Sequence, residues 1–242
     1  MIQQTLDLIP QTTESETYVY TPSKIKNQTY PFIWESPKAL SKLFCKKVIK
    51  KFLKDPEKYA GMVGEGRVDK RIKDSLDLQI SNWDKWSEED DVFYKSLTKG
   101  SNEYQEALTD EINLTAFEKL GHQQMNIDPS VTNQSIDTGY QVQETKPGSY
   151  YDWHHDFDVA KDEDTFMIRK FTYLWYLNDD FDGGETEFYD GTLIKPETGK
   201  LIIFPSTWSF YHRGRPPKNG NKYICTGWMH DGITTAALDV KR

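Results

Sequence analysis

The stretch RKFTYLWYLN (residues 169–178) is rich in aromatic and β-branched residues and ends at an asparagine that is followed by two aspartates. This composition is typical of a β-strand that ends in a turn. Four other segments share it and are separated by Gly, Pro, Asn and Asp clusters: GYQVQET, ETEFY, KLIIFP and YICTGWM. Many short strands at this spacing indicate a sandwich or a barrel. We therefore expect a β-rich core over about residues 130–232.

The residues before this core show helical periodicity. Ser36, followed by a proline, predicts the N-cap of a first helix, and Asp55-Pro56 predicts its end. A second helix is predicted to begin at Ser87, and a third to span about 103–120 with Gly121 as its stop. The seven lysines between positions 38 and 54 favour a solvated helix face over an interaction patch.

Composition bounds the class of protein. A chain of 242 residues suits one domain. We expect it to be α+β but β-rich, with a helical part at about 30–125 that buttresses the core. The net charge of -8 argues against binding to nucleic acid. Two cysteines, the lack of a long apolar run and an N-terminus unlike a signal peptide predict a cytoplasmic protein without a membrane span.

A candidate metal site lies in YYDWHHDFD (residues 150–158). On an extended chain, His154 and Asp156 point to one face and His155 points to the other. His212 follows a strand-like segment and is the best candidate for a third ligand. Two imidazoles and one carboxylate leave coordination positions open, which is the facial triad of non-haem Fe(II) oxygenases.

The features that follow this pair occur in a specific order: YLNDDFDGGETEF, KPETGKLIIFP, His212 and KYICTGW. Together with KPGSYYDWHHD before them, they resemble the 2-oxoglutarate- and Fe(II)-dependent dioxygenases of the prolyl 4-hydroxylase-like branch, over about residues 140–230. The resemblance implies a double-stranded β-helix (jelly-roll) core. It also implies Fe(II) bound by His154, Asp156 and His212, 2-oxoglutarate and O2 as cosubstrates, and ascorbate as reductant.

The resemblance also suggests how 2-oxoglutarate is held. The distal carboxylate of 2-oxoglutarate needs a cation, because a buried unpaired charge is very costly. Lys222 stands where the family places that cation. Three hydroxyl residues on neighbouring strands could bind the same carboxylate or line its pocket: Tyr176, Thr226 and Thr172. Family members often carry a tyrosine nine residues before the first ligand, where this chain has Thr145. Either Thr145 or Gln143 then makes that contact, or the register differs locally.

The expected reaction is hydroxylation of an unactivated C–H bond, with release of succinate and CO2. The prolyl 4-hydroxylase-like resemblance favours a proline in a peptide or protein, and aromatic residues near the ligands are candidate substrate contacts: Tyr150, Tyr151, Trp153, Trp208, Tyr211 and Trp228. Two alternatives stay open. One is hydroxylation of a free amino acid or other small molecule, and the other is a non-catalytic metal-binding β-barrel. The oligomeric state is not predicted.

Overall fold

A computed structural model describes residues 32–64, 66–120, 136–162 and 165–234. The helices and strands are β1 (Trp34–Ser36), α1 (Lys42–Lys54), β2 (Tyr59–Ala60), β3 (Leu76–Gln79), α2 (Ser87–Leu120), β4 (Ile136–Asp137), β5 (Gln141–Thr145), β6 (Tyr151–His154), β7 (Val159–Asp162), β8 (Thr165–Tyr176), β9 (Asp182–Gly183), β10 (Thr186–Phe188), β11 (Leu193–Ile194), β12 (Leu201–Pro205), β13 (His212–Gly214), β14 (Pro217–Lys218) and β15 (Lys222–Thr234). Neither α1 nor α2 combines the length and apolar character that would let a helix of the described ranges cross a membrane. The cytoplasmic location stays a prediction from the sequence.

Nine strands form the larger sheet. Its order is β1-β12-β8-β15-β5-β3-β2, with β4 added to β15 and β7 to β8, and its strand pairs are antiparallel. Side chains alternate between its faces with a period of two. On β8, Phe171, Tyr173 and Trp175 pack in the cluster that includes the helices, whereas Leu174 and Tyr176 pack on the other face. The predicted strand at 169–178 is therefore buried on both faces.

Four strands form a second sheet in the order β11-β10-β13-β6. Phe188 and Ile194 of this sheet meet Leu174, Ile202 and Phe204 of the larger sheet in one buried cluster. The two antiparallel sheets thus face each other across an apolar layer, and the predicted β-rich core is confirmed. The core is not confined to residues after 130, because β1, β2 and β3 from the predicted helical part also join the larger sheet.

The first helix begins later than predicted. Ser41 is its N-cap, and the Ser41 hydroxyl accepts a hydrogen bond from the Phe44 N–H at 3.2 Å. The prediction of Ser36 as N-cap is wrong, because Trp34–Ser36 is a strand that pairs with β12. The predicted end at Asp55 is confirmed, since that residue is the C-cap.

The second and third predicted helices are a single helix, α2, of 34 residues. The prediction of two helices is wrong for a packing reason at Gly100. A Cβ atom at this position would lie 2.5 Å from Leu201 Cδ2 and 3.3 Å from the Trp34 ring. Glycine therefore lets the helix approach the larger sheet closely, and this contact supports a residue that is unfavourable in an isolated helix. Gly121, the predicted stop, lies outside the described residues.

Candidate active site

The two histidines of the predicted metal site lie opposite each other on adjacent strands. His154 of β6 and His212 of β13 are partners in the antiparallel register, and their ring centroids are 4.3 Å apart. Each Nδ1 atom contacts a backbone carbonyl oxygen, that of Asp152 at 2.7 Å and that of Phe210 at 2.8 Å. A carbonyl oxygen only accepts, so Nδ1 carries the proton in both rings. The Nε2 lone pairs are then free to bind a metal, and the carbonyls fix the ring orientation.

Asp156 completes the group, although no strand holds it. It lies two residues beyond the end of β6, and its carboxylate is buried. One carboxylate oxygen is 3.6 Å from His154 Nε2 and the other is 3.7 Å from His212 Nε2. The ligand atoms of the three residues all lie within 4.8 Å of one another. The structure therefore brings the three predicted ligands together, but strand alternation is not what orients Asp156.

The electrostatics of this group match the protonation states that a metal requires. Burial and the neighbouring His212 ring lower the pKa of His154 to about 3, although Asp156 opposes the shift. Burial disfavours ionisation of Asp156, but the two imidazoles and a hydrogen bond from Thr172 outweigh it and lower the pKa of this carboxyl group. At neutral pH, His154 is a neutral imidazole and Asp156 a carboxylate, which are the metal-binding forms.

Lys222 supplies a buried cation near this group. Its side chain lies on the first residue of β15 and is 5% exposed, and its Nζ donates to the Gly184 carbonyl oxygen at 2.8 Å. Burial lowers the pKa of Lys222 to about 8, and Glu185 opposes this only partly. Among the described residues no carboxylate oxygen lies within 4 Å of Lys222 Nζ. An ammonium group placed in this way favours an anionic ligand.

A cavity of about 490 Å³ connects the histidine–aspartate group to Lys222. Six other residues from the predictions line it: Gln143, Thr145, Tyr151, Thr172, Thr226 and Trp228. Thr145 pairs with Lys222 in the register of β5 and β15, and both Thr145 and Gln143 line the cavity. Either residue could therefore take the place of the tyrosine that family members carry. The Thr226 hydroxyl donates to the Tyr173 carbonyl oxygen at 2.8 Å. Its oxygen can still accept a hydrogen bond.

Two predicted cosubstrate residues make other contacts. The Tyr176 hydroxyl is hydrogen-bonded to the Thr186 hydroxyl at 2.6 Å, and Thr186 lines the cavity in its place. The Thr172 hydroxyl donates to Asp156 at 2.7 Å, so it contacts a candidate metal ligand. Both side chains lie on the face of β8 that packs toward the smaller sheet, and both hydroxyls are hydrogen-bonded to groups of the protein.

Four aromatic residues predicted as substrate contacts do not line this cavity: Tyr150, Trp153, Trp208 and Tyr211. Trp153 is on the opposite face of β6 from His154, where its ring packs parallel to that of Tyr211 at 6.0 Å. Trp208 is 76% exposed on a short 3₁₀ turn. The Tyr150 hydroxyl donates to the Arg71 carbonyl oxygen, and its side chain borders a neighbouring cleft. None of these side chains lines the cavity, so their role as substrate contacts stays a prediction from the sequence.

The cavity wall also contains Tyr151, a predicted substrate contact, and three residues that the sequence did not single out: Lys73, Asp77 and Arg169. Tyr151 stacks on His154 with ring centroids 3.6 Å apart. Lys73 and Asp77 form a buried ion pair of 2.7 Å, and Lys73 lies 5.3 Å above the Tyr151 ring. Arg169 lies over Trp228 at 4.0 Å. No spacing in the sequence connects Lys73 and Asp77 to Tyr151, which follows them much later in the chain.

Three features of this structure are typical of one class of protein, the mononuclear non-haem iron oxygenases. They are the two facing antiparallel sheets, the group of two histidines and one carboxylate, and the buried cation in the same cavity. The sequence model of the 2OG-Fe(II) oxygenase superfamily matches residues 140–230 of this chain. This match lies in the range where the motifs predicted the resemblance.

Curated relatives extend this finding. The chain is 29% identical to prolyl 4-hydroxylase 1 of Arabidopsis thaliana, in an alignment that covers 39% of this chain and 41% of that protein. It is 31% identical to the probable prolyl 4-hydroxylase 3 of the same plant, with 39% and 42% covered. The chain thus spans about two fifths of the length of the curated relatives it matches.

Solved structures share the fold. A prolyl hydroxylase from Trichoplax adhaerens, in complex with a peptide fragment of the hypoxia inducible factor oxygen degradation domain, superimposes with a TM-score of 0.57. The match covers 83% of this chain and 84% of that chain at 17% identity. At this identity the likeness shows the fold alone, and it confirms the predicted jelly-roll core.

Proposed function

We propose that this protein is a 2-oxoglutarate- and Fe(II)-dependent dioxygenase that hydroxylates a proline residue of a peptide or protein. One observation carries the proposal: His154, Asp156 and His212 converge in the same cavity as Lys222, a buried cation without a carboxylate partner among the described residues. A metal-binding group and an anion-binding group in one enclosed space suit a ligand that chelates a metal at one end and is charged at the other.

The donor set fits Fe(II). His154 and His212 would bind it through their Nε2 atoms, whose lone pairs face inward because Nδ1 donates to a carbonyl oxygen. Asp156 would add one negative charge, which offsets part of the charge of the ion. Three protein ligands on one side leave positions for cosubstrate and O2. When bound, the iron supplies the activation of O2 that couples oxidative decarboxylation of 2-oxoglutarate to hydroxylation of a C–H bond.

The protein would contribute binding and orientation. Lys222 would pair with the distal carboxylate of 2-oxoglutarate, and Thr226 and Thr145 would border the same end of the cavity. A volume of about 490 Å³ lies within the range of small-molecule sites and leaves room for a substrate side chain beside the cosubstrate. Trp228 and Tyr151 offer apolar surfaces to the saturated ring of a proline. Ascorbate would serve as an external reductant.

A peptidyl proline is the preferred substrate because two of the curated relatives that the chain matches are named as prolyl 4-hydroxylases, one of them as probable. A free amino acid or another small molecule is the second candidate, since the cavity is also large enough for it. A non-catalytic metal-binding β-barrel is disfavoured by Lys222, because a protein that only sequesters a metal gains nothing from a buried cation that costs stability.

The test measures succinate and oxygen insertion together. The protein would be incubated with Fe(II), ascorbate, 2-oxoglutarate and air, and then with panels of proline-containing peptides and free amino acids. We expect succinate that depends on protein, and a peptide that gains the mass of one oxygen. His212→Ala should abolish both, whereas Lys218→Met, an exposed lysine outside the cavity, should retain both.

The possible failures of this test are distinct. Succinate without any hydroxylated peptide, together with a hydroxylated amino acid, would replace the peptide substrate by a small molecule. Metal binding without succinate and without binding of 2-oxoglutarate would contradict the dioxygenase and support the metal-binding β-barrel.

A further inference from the structure

The carboxylate of Asp156 is held in a different way from the two imidazoles. His154 and His212 belong to paired strands and are oriented by backbone carbonyls. Asp156 lies in an irregular segment, and in the described part of the chain its hydrogen-bond donor is the hydroxyl of Thr172, at 2.7 Å. A buried side chain on irregular backbone needs such a partner to keep one position.

The Thr172 hydroxyl has a second partner, the Ser206 hydroxyl at 2.9 Å. An ionised carboxylate only accepts hydrogen bonds, so the single proton of Thr172 points to Asp156. The oxygen of Thr172 then accepts from Ser206, and the proton of Ser206 is directed to Thr172. Ser206 is itself 1% exposed, and its backbone N–H donates to the Lys170 carbonyl oxygen at 2.9 Å. The direction of both hydrogen bonds is therefore fixed, and each polarises the other.

This pair of hydroxyls joins the two sheets at the candidate iron site. Thr172 lies on β8, and Ser206 directly follows β12, both in the larger sheet. Asp156 lies two residues after the end of β6, which belongs to the smaller sheet. The hydrogen bond between Thr172 and Ser206 is made within the larger sheet, whereas the one between Thr172 and Asp156 forms only when the two sheets pack together.

We infer that Ser206 and Thr172 form a hydroxyl relay that positions the Asp156 carboxylate between the two histidines before metal binds. The inference rests on the proposed function, because it assumes that the three residues bind a metal. It assigns Thr172 to positioning of a ligand, in place of the predicted contact with 2-oxoglutarate. Truncation of an outer partner of a metal ligand commonly lowers metal affinity by about 10- to 100-fold.

The test uses Thr172→Val, which keeps the shape and removes the hydroxyl, Thr172→Ser, which keeps the hydroxyl, and Ser206→Ala. Affinity for Co(II) alone is measured by calorimetry without 2-oxoglutarate. We expect Co(II) binding to weaken about 10- to 100-fold in Thr172→Val, to weaken less in Ser206→Ala, and to stay within about threefold in Thr172→Ser. The matched control is Thr192→Val, which replaces a buried threonine outside the cavity, and its Co(II) affinity should not change.

Each outcome has a separate meaning. Wild-type protein that binds no Co(II) would overturn the metal site itself and the relay with it. Wild-type binding with equal affinity in Thr172→Val would overturn the relay alone. Unchanged Co(II) affinity with weakened 2-oxoglutarate binding at saturating metal would also overturn it and restore Thr172 to the cosubstrate pocket. If Thr172→Val does not fold by circular dichroism, Ser206→Ala decides, and unchanged Co(II) affinity in that variant overturns the relay.

Discussion

Replacement of Lys222 by methionine should stabilise the protein while it removes 2-oxoglutarate binding. The lowering of the Lys222 pKa from 10.5 to about 8 corresponds to a penalty of about 3 kcal/mol on the charged form in the folded state. Methionine has a similar length and carries no charge, so this penalty disappears. The hydrogen bond to the Gly184 carbonyl oxygen is also lost, which costs about 1 kcal/mol. The expected net gain at pH 7 is about 2 kcal/mol in the free energy of unfolding.

The gain should depend on pH in a defined direction. Because the pKa of Lys222 is lower in the folded than in the unfolded state, the unfolded chain binds more protons between pH 8 and 10.5. The stability of the wild-type protein therefore rises through this window relative to that of the variant. The penalty is fully present below pH 8 and is absent above about pH 10.5. Urea unfolding at pH 7 and pH 10 measures this difference.

Binding of 2-oxoglutarate should change in the opposite sense. Removal of one partner of a buried charge pair costs about 2–5 kcal/mol, which is at least about 30-fold in affinity. Anaerobic calorimetry with Fe(II) present measures this loss, and Lys218→Met controls for the change in net charge. Because Lys218 is exposed, its replacement should alter stability by no more than about 0.5 kcal/mol. A destabilised Lys222→Met protein with unchanged 2-oxoglutarate affinity would refute the assignment of Lys222 as the cosubstrate cation.

Three other predictions follow from the same contacts. In the wild-type protein, 2-oxoglutarate affinity should fall about tenfold per pH unit above about pH 8 as free Lys222 loses its proton, and Lys222→Arg should flatten this dependence in calorimetry between pH 7 and 9. Gly100→Ala should lower the free energy of unfolding by about 1–2 kcal/mol in urea denaturation, because the clash with Leu201 outweighs the helix preference of alanine; a gain in stability would contradict the close helix–sheet contact. Trp228→Ala should lower kcat/KM for a peptide at least about tenfold, whereas Trp208→Ala should leave it within about twofold, and equal losses would contradict the placement of the two rings.

The order of motifs along the chain predicted most of the residues of the candidate site. His154, Asp156 and His212 were found because they flank a recognisable series of strands, and Lys222 because it opens the last one. Strand alternation pointed to His154 and Asp156, but it does not explain how Asp156 is oriented, since β6 ends before this residue. What orients that carboxylate is a pair of hydroxyls from another sheet, and such tertiary contacts leave no periodic signal in the sequence.

The aromatic residues show where proximity in sequence misleads. Trp153 adjoins a metal-ligand candidate in the chain, yet a strand sends neighbouring side chains to opposite faces, so its ring lies on the outer side of the smaller sheet. Tyr151 has the same parity as Trp153, yet its ring stacks on His154. The pairing of β6 with β13 shifts register between these positions, which interrupts the alternation. Alternation alone would have placed the rings of Tyr151 and Trp153 on one face, and it could not have shown that the Tyr176 hydroxyl is hydrogen-bonded to Thr186.

The wall of the cavity that faces the substrate region comes partly from the N-terminal half, which the motifs do not cover. The backbone of Asp74 donates to the Tyr150 carbonyl oxygen at 3.0 Å, and that of Asp152 donates to the Ile72 carbonyl oxygen at 2.7 Å. This short segment therefore extends the smaller sheet beside β6 and brings the Lys73–Asp77 ion pair against the Tyr151 ring. The family motifs of residues 140–230 account for the metal and cosubstrate ends of the cavity. Because the remaining wall comes from residues outside those motifs, we expect the choice of substrate to depend on it, and this is why the motifs alone predict the reaction better than they predict its substrate.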